Sequence, residues 1–235
     1  MVSCISGLQA RGQGEVTSSP DALYARREEA GFAARAADAW AARLAAAPGD
    51  FEAAWKLSRA RYYLGTNGRV DGRRAALDAG MEAARKAIAL QPARPEGHFW
   101  LAANMGALAE SFGMSQGLKY RKAIKAELED VLRLDAAYEA GSADRALGRW
   151  YFKVPWLFGG SNEKSEQHLR KSLTYDPQSS ASWYFLAETL EDMGRRTEAR
   201  AALQHVVDAP LNPEWAPEDR RWKALAKGRL AKLAR

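Results

Sequence analysis

The sequence predicts an all-α protein built from repeated helix pairs, and three observations carry this prediction. Small and apolar residues recur at helical intervals over residues 180–207, on both sides of a single glycine. A second helical pattern repeats at a fixed offset, since Pro48 and Pro92 lie 44 residues apart, as do Leu57 and Leu101. No segment shows the sustained alternation of apolar and polar residues that is typical of a half-buried strand. Because one helix pair cannot bury its apolar stripe alone, we expect about ten or eleven helices stacked side by side.

Length, composition and charge are those of a folded helical domain. The chain has 235 residues, of which 47% are apolar and 10% aromatic, enough for a substantial core. The formal net charge is +6, but acidic and basic residues are interleaved, so we expect solvating charge rather than a nucleic-acid-binding face. No run of about 18 apolar residues predicts a membrane span. We expect residues 1–18 to be a disordered tether and residues 19–235 to form a single domain.

Start and stop signals place the early helices. Ser19 precedes Pro20 and Asp21, the order typical of an N-cap, a first helical residue and an acid that favours the helix dipole. The first pair of helices is therefore expected at about 20–30 and 32–46. Proline and glycine then predict helices at about 51–65, 73–91, 95–110 and 117–134.

The C-terminal half continues the same arrangement. A helix over residues 141–152 should end before Pro155, and its partner should begin at Ser161. The helix pair of residues 180–207 follows. A last helix at about 217–234 has acids at its start and an apolar face, so we expect it to cap the open end of the stack.

The spacing within residues 180–207 closely resembles a tetratricopeptide (TPR) repeat of about 34 residues. The pattern W-x2-L-A-x2-L, then glycine, then A-x3-L-x2-V begins at Trp183 and ends at Val206. An L-G-x2-Y motif that starts at Leu147 supplies the core of another first helix. The resemblance implies a TPR-like right-handed stack with a C-terminal capping helix.

Residues 151–173 add a more specific resemblance. They read YFKVPWLFGGSNEKSEQHLRKSL, so a first helix ends at a proline and is followed by an aromatic loop, Gly-Gly and K-S-E-x-x-L. This layout resembles the T-component family of TPR-associated TRAP transporters, and the tail DAPLNPEWAPEDRRW is similar to that of some bacterial relatives. The resemblance covers about residues 20–235. It implies a helical scaffold, usually a periplasmic lipoprotein, that associates with an extracytoplasmic solute-binding protein and has a pore able to hold an apolar ligand.

Cys4 is the only cysteine, which excludes an internal disulfide. The small residues Val2 and Ser3 precede it, as in the segment before the lipidated cysteine of bacterial lipoproteins, although Met1 stands where leucine is usual. Cys4 is therefore a lipidation candidate in a periplasmic protein. The other interpretation is an ordinary cysteine on a flexible tail of a cytoplasmic TPR adaptor.

The TPR resemblance places groove-lining residues at fixed positions of each first helix. Aromatic rings mixed with arginines are typical of binding hot spots. We expect Arg145 and Arg149 to pair with carboxylates of a partner protein, and the aromatic rings to supply apolar contact. The alternative is that several rings only pack between helices. The groove positions hold Trp55, Arg59, Tyr62, Tyr63, Phe99, Arg145, Arg149, Phe152, Tyr184, Glu188, Glu191 and Asp192.

The loop Pro155–Gly160 is a second candidate site. Trp156 and Phe158 lie beside two glycines, so they could form a contact for a partner or line an apolar channel. The plainer interpretation, which we favour from the sequence, is that both rings fold back into the core while the glycines turn the chain.

The sequence does not indicate an enzyme, a metal site or a cofactor. Ser161 and Lys164 have serine–lysine spacing, but Ser161 stands where a helix N-cap belongs. The three histidines lie in different helices without metal-ligand spacing. We predict a binding scaffold for a partner protein or an apolar ligand, with no nucleic acid, with membrane contact only through a lipid anchor, and with self-association left open. The alternatives are a cytoplasmic adaptor, a periplasmic carrier of an apolar small molecule and a cryptic hydrolase that uses Ser161.

Overall fold

A computed structural model describes residues 19–233, and every regular element within this range is helical. Short 3-10 turns lie at Val70–Gly72 and Trp156–Phe158. The eleven α-helices of the described range are α1 (Pro20–Ala25), α2 (Phe32–Ala46), α3 (Phe51–Asn67), α4 (Arg73–Leu90), α5 (Pro95–Phe112), α6 (Met114–Leu134), α7 (Tyr138–Lys153), α8 (Asn162–Tyr175), α9 (Ser180–Asp192), α10 (Arg196–Asp208) and α11 (Ala216–Leu233). The tether predicted for residues 1–18 lies outside the described residues.

The helices form a TPR-like stack of hairpins, as the sequence predicts. Helices α3–α4, α5–α6, α7–α8 and α9–α10 pair, and each second helix packs against the first helix of the next pair. The first helices also contact one another, α3 with α5, α5 with α7 and α7 with α9. We call the side of the stack formed by α3, α5, α7 and α9 the inner face. None of the helices described is long and apolar enough to cross a membrane.

One helix boundary differs clearly from the prediction, and the regular part of α7 begins next to its predicted start. Helix α1 ends at Ala25 instead of near residue 30, and the chain turns before Gly31, whose φ of 83° is a left-handed conformation that glycine adopts readily. Helix α7 opens with three left-handed residues, Glu139 to Gly141, so its regular part begins at Ser142. The turn between α1 and α2 matters for the molecule because it carries side chains that bind the C-terminal segment.

Side-chain caps explain why several helices begin where they do. Each cap oxygen accepts a hydrogen bond from a backbone N–H in the first helical turn, which stabilises a helix by about 1 kcal/mol. Ser161 is one of these caps, as predicted, so its hydroxyl has a structural role at the start of α8. The caps are Ser19 to the Ala22 nitrogen at 3.2 Å, Asp50 to Ala53 at 2.9 Å, Ser161 to Lys164 at 3.2 Å and Ser179 to Ser182 at 3.3 Å.

Close helix contacts form the core. Leu108, Leu128 and Leu147 are almost completely buried in a cluster that joins α4 to α7. A second cluster joins α8 to α11 around Leu169. Helices α7 and α8 approach so closely that a Cβ atom at Gly148 would lie 2.5 Å from Leu169 Cγ. The glycine of the L-G-x2-Y motif therefore permits the close packing of α7 on α8.

Helix α11 caps the last hairpin by packing on α10 and α9, with Ala226 fully buried. The Arg229 guanidinium pairs with Glu188 and Glu191 of α9. Residues 209–222, which join α10 to α11 and include the first turns of α11, extend further and contact the turn between α1 and α2. We call residues 209–222 the C-terminal strap.

Candidate functional site

A buried ion pair fixes the C-terminal strap to the N-terminal end of the stack. The Arg27 guanidinium donates to both carboxylate oxygens of Glu218, at 3.0 and 2.5 Å, and to the Glu214 carbonyl oxygen at 2.7 Å. The Arg27 side chain is only 3% exposed. Burial acts to lower the pKa of Arg27, but the Glu218 carboxylate holds this pKa above its ordinary value. A second and exposed pair, Arg220 with Glu28, lies beside the first.

Two tryptophans of the C-terminal strap cover the inner face. Trp215 packs against the core cluster of α4 to α7, and the Arg27 guanidinium lies 5.9 Å from its ring centroid. The Trp222 ring centroid lies 5.1 Å from those of Tyr184 and Phe185 on α9. The strap therefore spans the inner face from the first helices to the last hairpin.

Two residues that we expected to line an open groove are buried. Phe99 is 9% exposed, and its ring makes edge contacts with Trp100 and Tyr138 at centroid distances of 5.1 and 5.6 Å. Tyr184 is 8% exposed beneath Trp222. The expectation of an open apolar groove surface at Phe99 and Tyr184 is corrected, because neighbouring helices and the strap cover these rings.

The α3 residues of the predicted groove form an aromatic and cationic cluster. Trp55 and Tyr63 are half-buried, whereas Arg59 is only 8% exposed. The Arg59 guanidinium lies 5.1 Å from the Trp55 ring centroid and 4.3 Å from that of Tyr24. Tyr63 also borders a pocket of about 350 Å³ where α3 meets the strap. This pocket is lined by Glu28, Tyr63, Asn67, Pro217, Glu218, Arg220 and Arg221.

Arg149 and Glu188 bind each other rather than standing free. Arg149 donates to Glu110 at 2.9 Å and to Glu188, and Glu188 also pairs with Arg229 at 3.0 Å. Burial acts to lower the pKa of Arg149, but the carboxylates of Glu110 and Glu188 keep it raised. The expectation that Arg149 pairs with a partner's carboxylate is therefore corrected, because carboxylates of this chain already satisfy its guanidinium.

Arg145 lies on α7, as Arg149 does, but it has no carboxylate partner among the described residues. It is half-buried, and no carboxylate of residues 19–233 forms an ion pair with it. Desolvation lowers the pKa of Arg145, with Glu139 acting in the opposite direction. Phe152, also predicted in the groove, is half-buried beside Lys153, whose ammonium lies 5.3 Å from its ring centroid.

Several buried donors of the inner face lack acceptors. Arg59 Nε, Trp100 Nε1 and Tyr138 Oη are buried and have no hydrogen-bond partner among the described residues. The nearest carboxylate to Arg59, that of the exposed Asp21, lies 4.0 Å from Nη2. Burial raises the pKa of Tyr138, and the charge of Arg59 partly opposes this effect. An unpaired buried donor costs about 1–3 kcal/mol of stability.

The loop between α7 and α8 projects into solvent, contrary to the interpretation that we favoured from the sequence. Trp156 is 84% exposed, Leu157 68% and Phe158 41%. The Gly160 nitrogen donates to the Pro155 carbonyl oxygen at 3.2 Å, which closes the loop on itself. A Cβ atom at Gly160 would lie 1.7 Å from the Val154 carbonyl oxygen. The two glycines permit a tight closed loop, and this closure turns the apolar side chains outward.

Loops of the two preceding hairpins continue this exposed surface. Val70, between α3 and α4, is 75% exposed, and Met114, the first residue of α6, is 66% exposed. Contacts link neighbouring hairpins at this end of the stack: the Arg74 guanidinium of α4 lies 4.1 Å from the Phe112 ring centroid of α5, and that of Arg121 in α6 lies 5.3 Å from the Phe158 ring centroid. We call the row formed by Val70, Met114, Trp156, Leu157 and Phe158 the apolar edge.

Basic residues surround the apolar edge. The three loop regions, residues 66–74, 110–122 and 149–164, contain nine lysines and arginines but only three acids. The exposed cations Arg74, Lys119, Lys122, Lys153 and Lys164 form no ion pair with any of residues 19–233. Exposed apolar side chains within a rim of free cations favour a ligand that is apolar at its centre and acidic around it.

His98, Glu127 and Asp130 offer ligand atoms within 4.8 Å of one another. The imidazole is occupied on both sides, by Glu127 at 2.6 Å from Nδ1 and by the Pro92 carbonyl oxygen at 3.0 Å from Nε2. Asp130 accepts from Arg133 at 2.8 Å. The arrangement joins α5 to α6 as a hydrogen-bonded link.

Sequence reasoning missed the partners of the strap and the exposure of the apolar edge. The tail carries Trp215 and Glu218, a tryptophan–acid combination that could have suggested an inward-facing segment. The alternation of apolar loop residues with basic residues over residues 149–164 was the available signal for the edge.

Comparisons with protein families and solved structures agree with the TPR-like fold. The family described as TRAP transporter T-component matches residues 96–235. The family described as Regulator of microtubule dynamics protein 1-3 matches residues 20–157. Among solved structures, TTC0263, a thermophilic TPR protein of Thermus thermophilus, is 22% identical with a TM-score of 0.68, and the alignment covers 90% of this chain and 97% of that one. A structure of MamA is 18% identical with a TM-score of 0.52, covering 85% and 95%. No curated protein matches the chain.

The fold is that of a TPR-like helical repeat protein, and fold and family together suggest a helical scaffold or adaptor role in protein interaction. The chain belongs to the TRAP transporter T-component family. The resemblance noted from the Pro-aromatic-Gly-Gly layout is thereby confirmed.

Proposed function

We propose that this protein is a non-enzymatic scaffold that docks a partner protein on its apolar edge. The observation that carries this proposal is the 84% exposure of Trp156, beside the 68% exposure of Leu157. Large exposed apolar residues in one patch on a helical repeat protein are typical of interaction sites, and tryptophan is enriched among binding hot spots. The inner face, which the TPR resemblance singled out, is covered by the strap and is a weaker candidate for a first contact.

The chemistry of the edge indicates what the partner offers. Five exposed cations of the three loop regions form no ion pair with any of residues 19–233, which favours a partner with an acidic rim around an apolar centre. Membership of the T-component family supports an extracytoplasmic solute-binding protein of a transport system as that partner. A protein partner is favoured over an apolar small molecule, because the pocket beside Tyr63 is lined mainly by charged and polar groups.

We also propose an extracytoplasmic location with a lipid anchor at Cys4. The family description supports association with a transporter, and the small residues before Cys4 support lipidation. Cys4→Ser in the native gene should move the protein from the membrane fraction to the soluble fraction. Equal membrane association of both forms would exclude Cys4 as the anchor, and recovery of both in the cytoplasm would favour the adaptor alternative.

The test of the docking proposal uses the purified full chain and the solute-binding protein encoded with it or captured by it. Trp156→Ala with Leu157→Ala should weaken binding by at least about tenfold, since hot-spot truncations cost about 1.4 kcal/mol or more. Leu225→Ala is the matched control, because Leu225 is 42% exposed on α11, away from the edge. This control should bind like the parent.

Two results would overturn the docking proposal. The first is unchanged partner binding by the double variant. The second is loss of affinity only for vesicles that contain anionic lipid, which would make the edge a membrane contact instead of a protein contact.

A further inference from the structure

The C-terminal strap shows what chemistry the inner face accepts. Its residues contribute two large rings, Trp215 and Trp222, and the carboxylate of Glu218. The stack contacts these groups through aromatic rings of the inner face and through Arg27 of the turn between α1 and α2, whose guanidinium binds Glu218 bidentately. The strap therefore lies on this face as an acidic, tryptophan-bearing ligand would.

Several polar groups of the inner face find no ion-pair or hydrogen-bond partner in the strap. Arg145 has no ion pair with the described residues, and Arg59 Nε and Tyr138 Oη have no acceptor there. Residues 210–214 of the strap are exposed, and Leu211 is 43% exposed. A pocket of about 350 Å³ also lies between α3 and the strap. A ligand with more carboxylates than the strap would gain ion pairs that the strap does not form.

We propose that the inner face is a binding site for an acidic, tryptophan-bearing segment of a different protein, and that the C-terminal strap is its intramolecular competitor. The incoming segment replaces Trp215 on the core cluster and Glu218 on Arg27, and its additional carboxylates pair with Arg59 and Arg145. This site shares no residue with the apolar edge.

A synthetic peptide with the sequence of residues 208–222, labelled with a fluorophore, tests this proposal by anisotropy. The receptor is the full chain with Glu218→Gln, which weakens the hold of the strap on Arg27. A second receptor adds Trp215→Ala. Each weakened receptor should bind the peptide at least about tenfold more tightly than the parent does, because its own strap competes less well.

Controls separate displacement from unfolding. Adding Arg27→Ala to the weakened receptor should abolish the gain, and a peptide that carries Trp215→Ala and Glu218→Gln should not bind. Trp156→Ala with Leu157→Ala should leave peptide binding unchanged, so failure of the edge proposal and failure of this one are distinguishable. Circular dichroism confirms that each receptor keeps its helicity.

Two outcomes would overturn the proposal. One is the absence of peptide binding by both weakened receptors while they remain helical. The other is a concentration-dependent dimer of the weakened receptors in size-exclusion chromatography that excludes the peptide, because the strap of a second copy would then be the occupant.

Discussion

Gly148 is a residue whose identity is set by the close packing of α7 on α8. An added Cβ would lie 2.5 Å from Leu169 Cγ and 3.1 Å from the Ser165 carbonyl oxygen. Gly148→Ala should therefore reduce the free energy of unfolding by about 1–3 kcal/mol, measured by urea denaturation. Gly106→Ala is the matched control, because nothing lies within 4 Å of a Cβ at this α5 position. The control should be neutral or stabilising by up to about 1 kcal/mol, and an equal loss in both variants would contradict the close contact.

The carboxyl of Glu139 should make the free energy of unfolding depend on pH. Burial raises its pKa, and the nearby charge of Glu214 adds to this, while Arg59 and Arg145 oppose it. A carboxyl with a raised folded pKa binds its proton more tightly in the folded state. Its contribution to stability is therefore present below the unfolded pKa and is lost as the pH rises through the folded pKa.

Replacing the carboxyl by an amide tests this linkage. Glu139→Gln should gain stability relative to the parent as the pH rises from about 4 to about 7, in urea denaturation followed by circular dichroism. Glu82→Gln, at an exposed position of α4, should show no such trend. A difference between Glu139→Gln and the parent that does not depend on pH would contradict the assignment.

Sequence reasoning reached some residues and not others for identifiable reasons. The caps at Ser19 and Ser161 were predictable because an N-cap depends on residues within one turn. The burial of Phe99 was not, because it depends on Tyr138, about 40 residues away along the chain, a separation beyond the reach of a local pattern.

At the scale of elements, the C-terminal strap is held by one buried and one exposed ion pair. Glu218→Ala would leave Arg27 buried without its carboxylate, which should cost about 3 kcal/mol. Arg220→Ala breaks the exposed pair with Glu28, in which the side chains are 50% and 43% exposed, and should cost much less because solvent screens this pair. Thermal unfolding of both variants measures the contrast. Similar losses would mean that the strap is not seated on Arg27.

Helix positions were largely predictable, whereas the course of the strap was not. Proline and glycine signals placed most helix ends within about three residues, because these signals act locally. The sequence predicted α11 as a cap from its acidic start and apolar face. It did not predict that residues 209–222 reach the turn between α1 and α2, since that contact joins residues 191 positions apart.

At the scale of the whole molecule, the apolar edge should contribute to binding and little to folding. Trp156 and Leu157 make few contacts within the chain because most of their surface faces solvent. Trp156→Ala with Leu157→Ala should therefore change the free energy of unfolding by no more than about 1 kcal/mol while it weakens partner binding. A large loss of stability would mean that the loop packs against the stack.

The TPR-like stack was predictable because its repeats impose a period on the sequence, as the 44-residue offset of Pro48 and Pro92 illustrates. The candidate site was only partly predictable. The repeat register of the sequence assigned residues such as Arg149 to an inner face. It could not reveal that the Arg149 guanidinium donates hydrogen bonds to Glu110 and Glu188, or that the strap covers this face.

Hydroxyl-radical footprinting of the eight tryptophans, read by mass spectrometry, tests most directly whether the strap covers the inner face and leaves the apolar edge free. We predict rapid oxidation of Trp156 and slow oxidation of Trp215, with Trp40, fully buried, as the internal standard for protection. Glu218→Gln should raise the rate at Trp215 and leave Trp156 unchanged. A Trp215 as reactive as Trp156 in the parent, or a protected Trp156, would contradict the claim that the strap covers the inner face while the apolar edge is free for a partner.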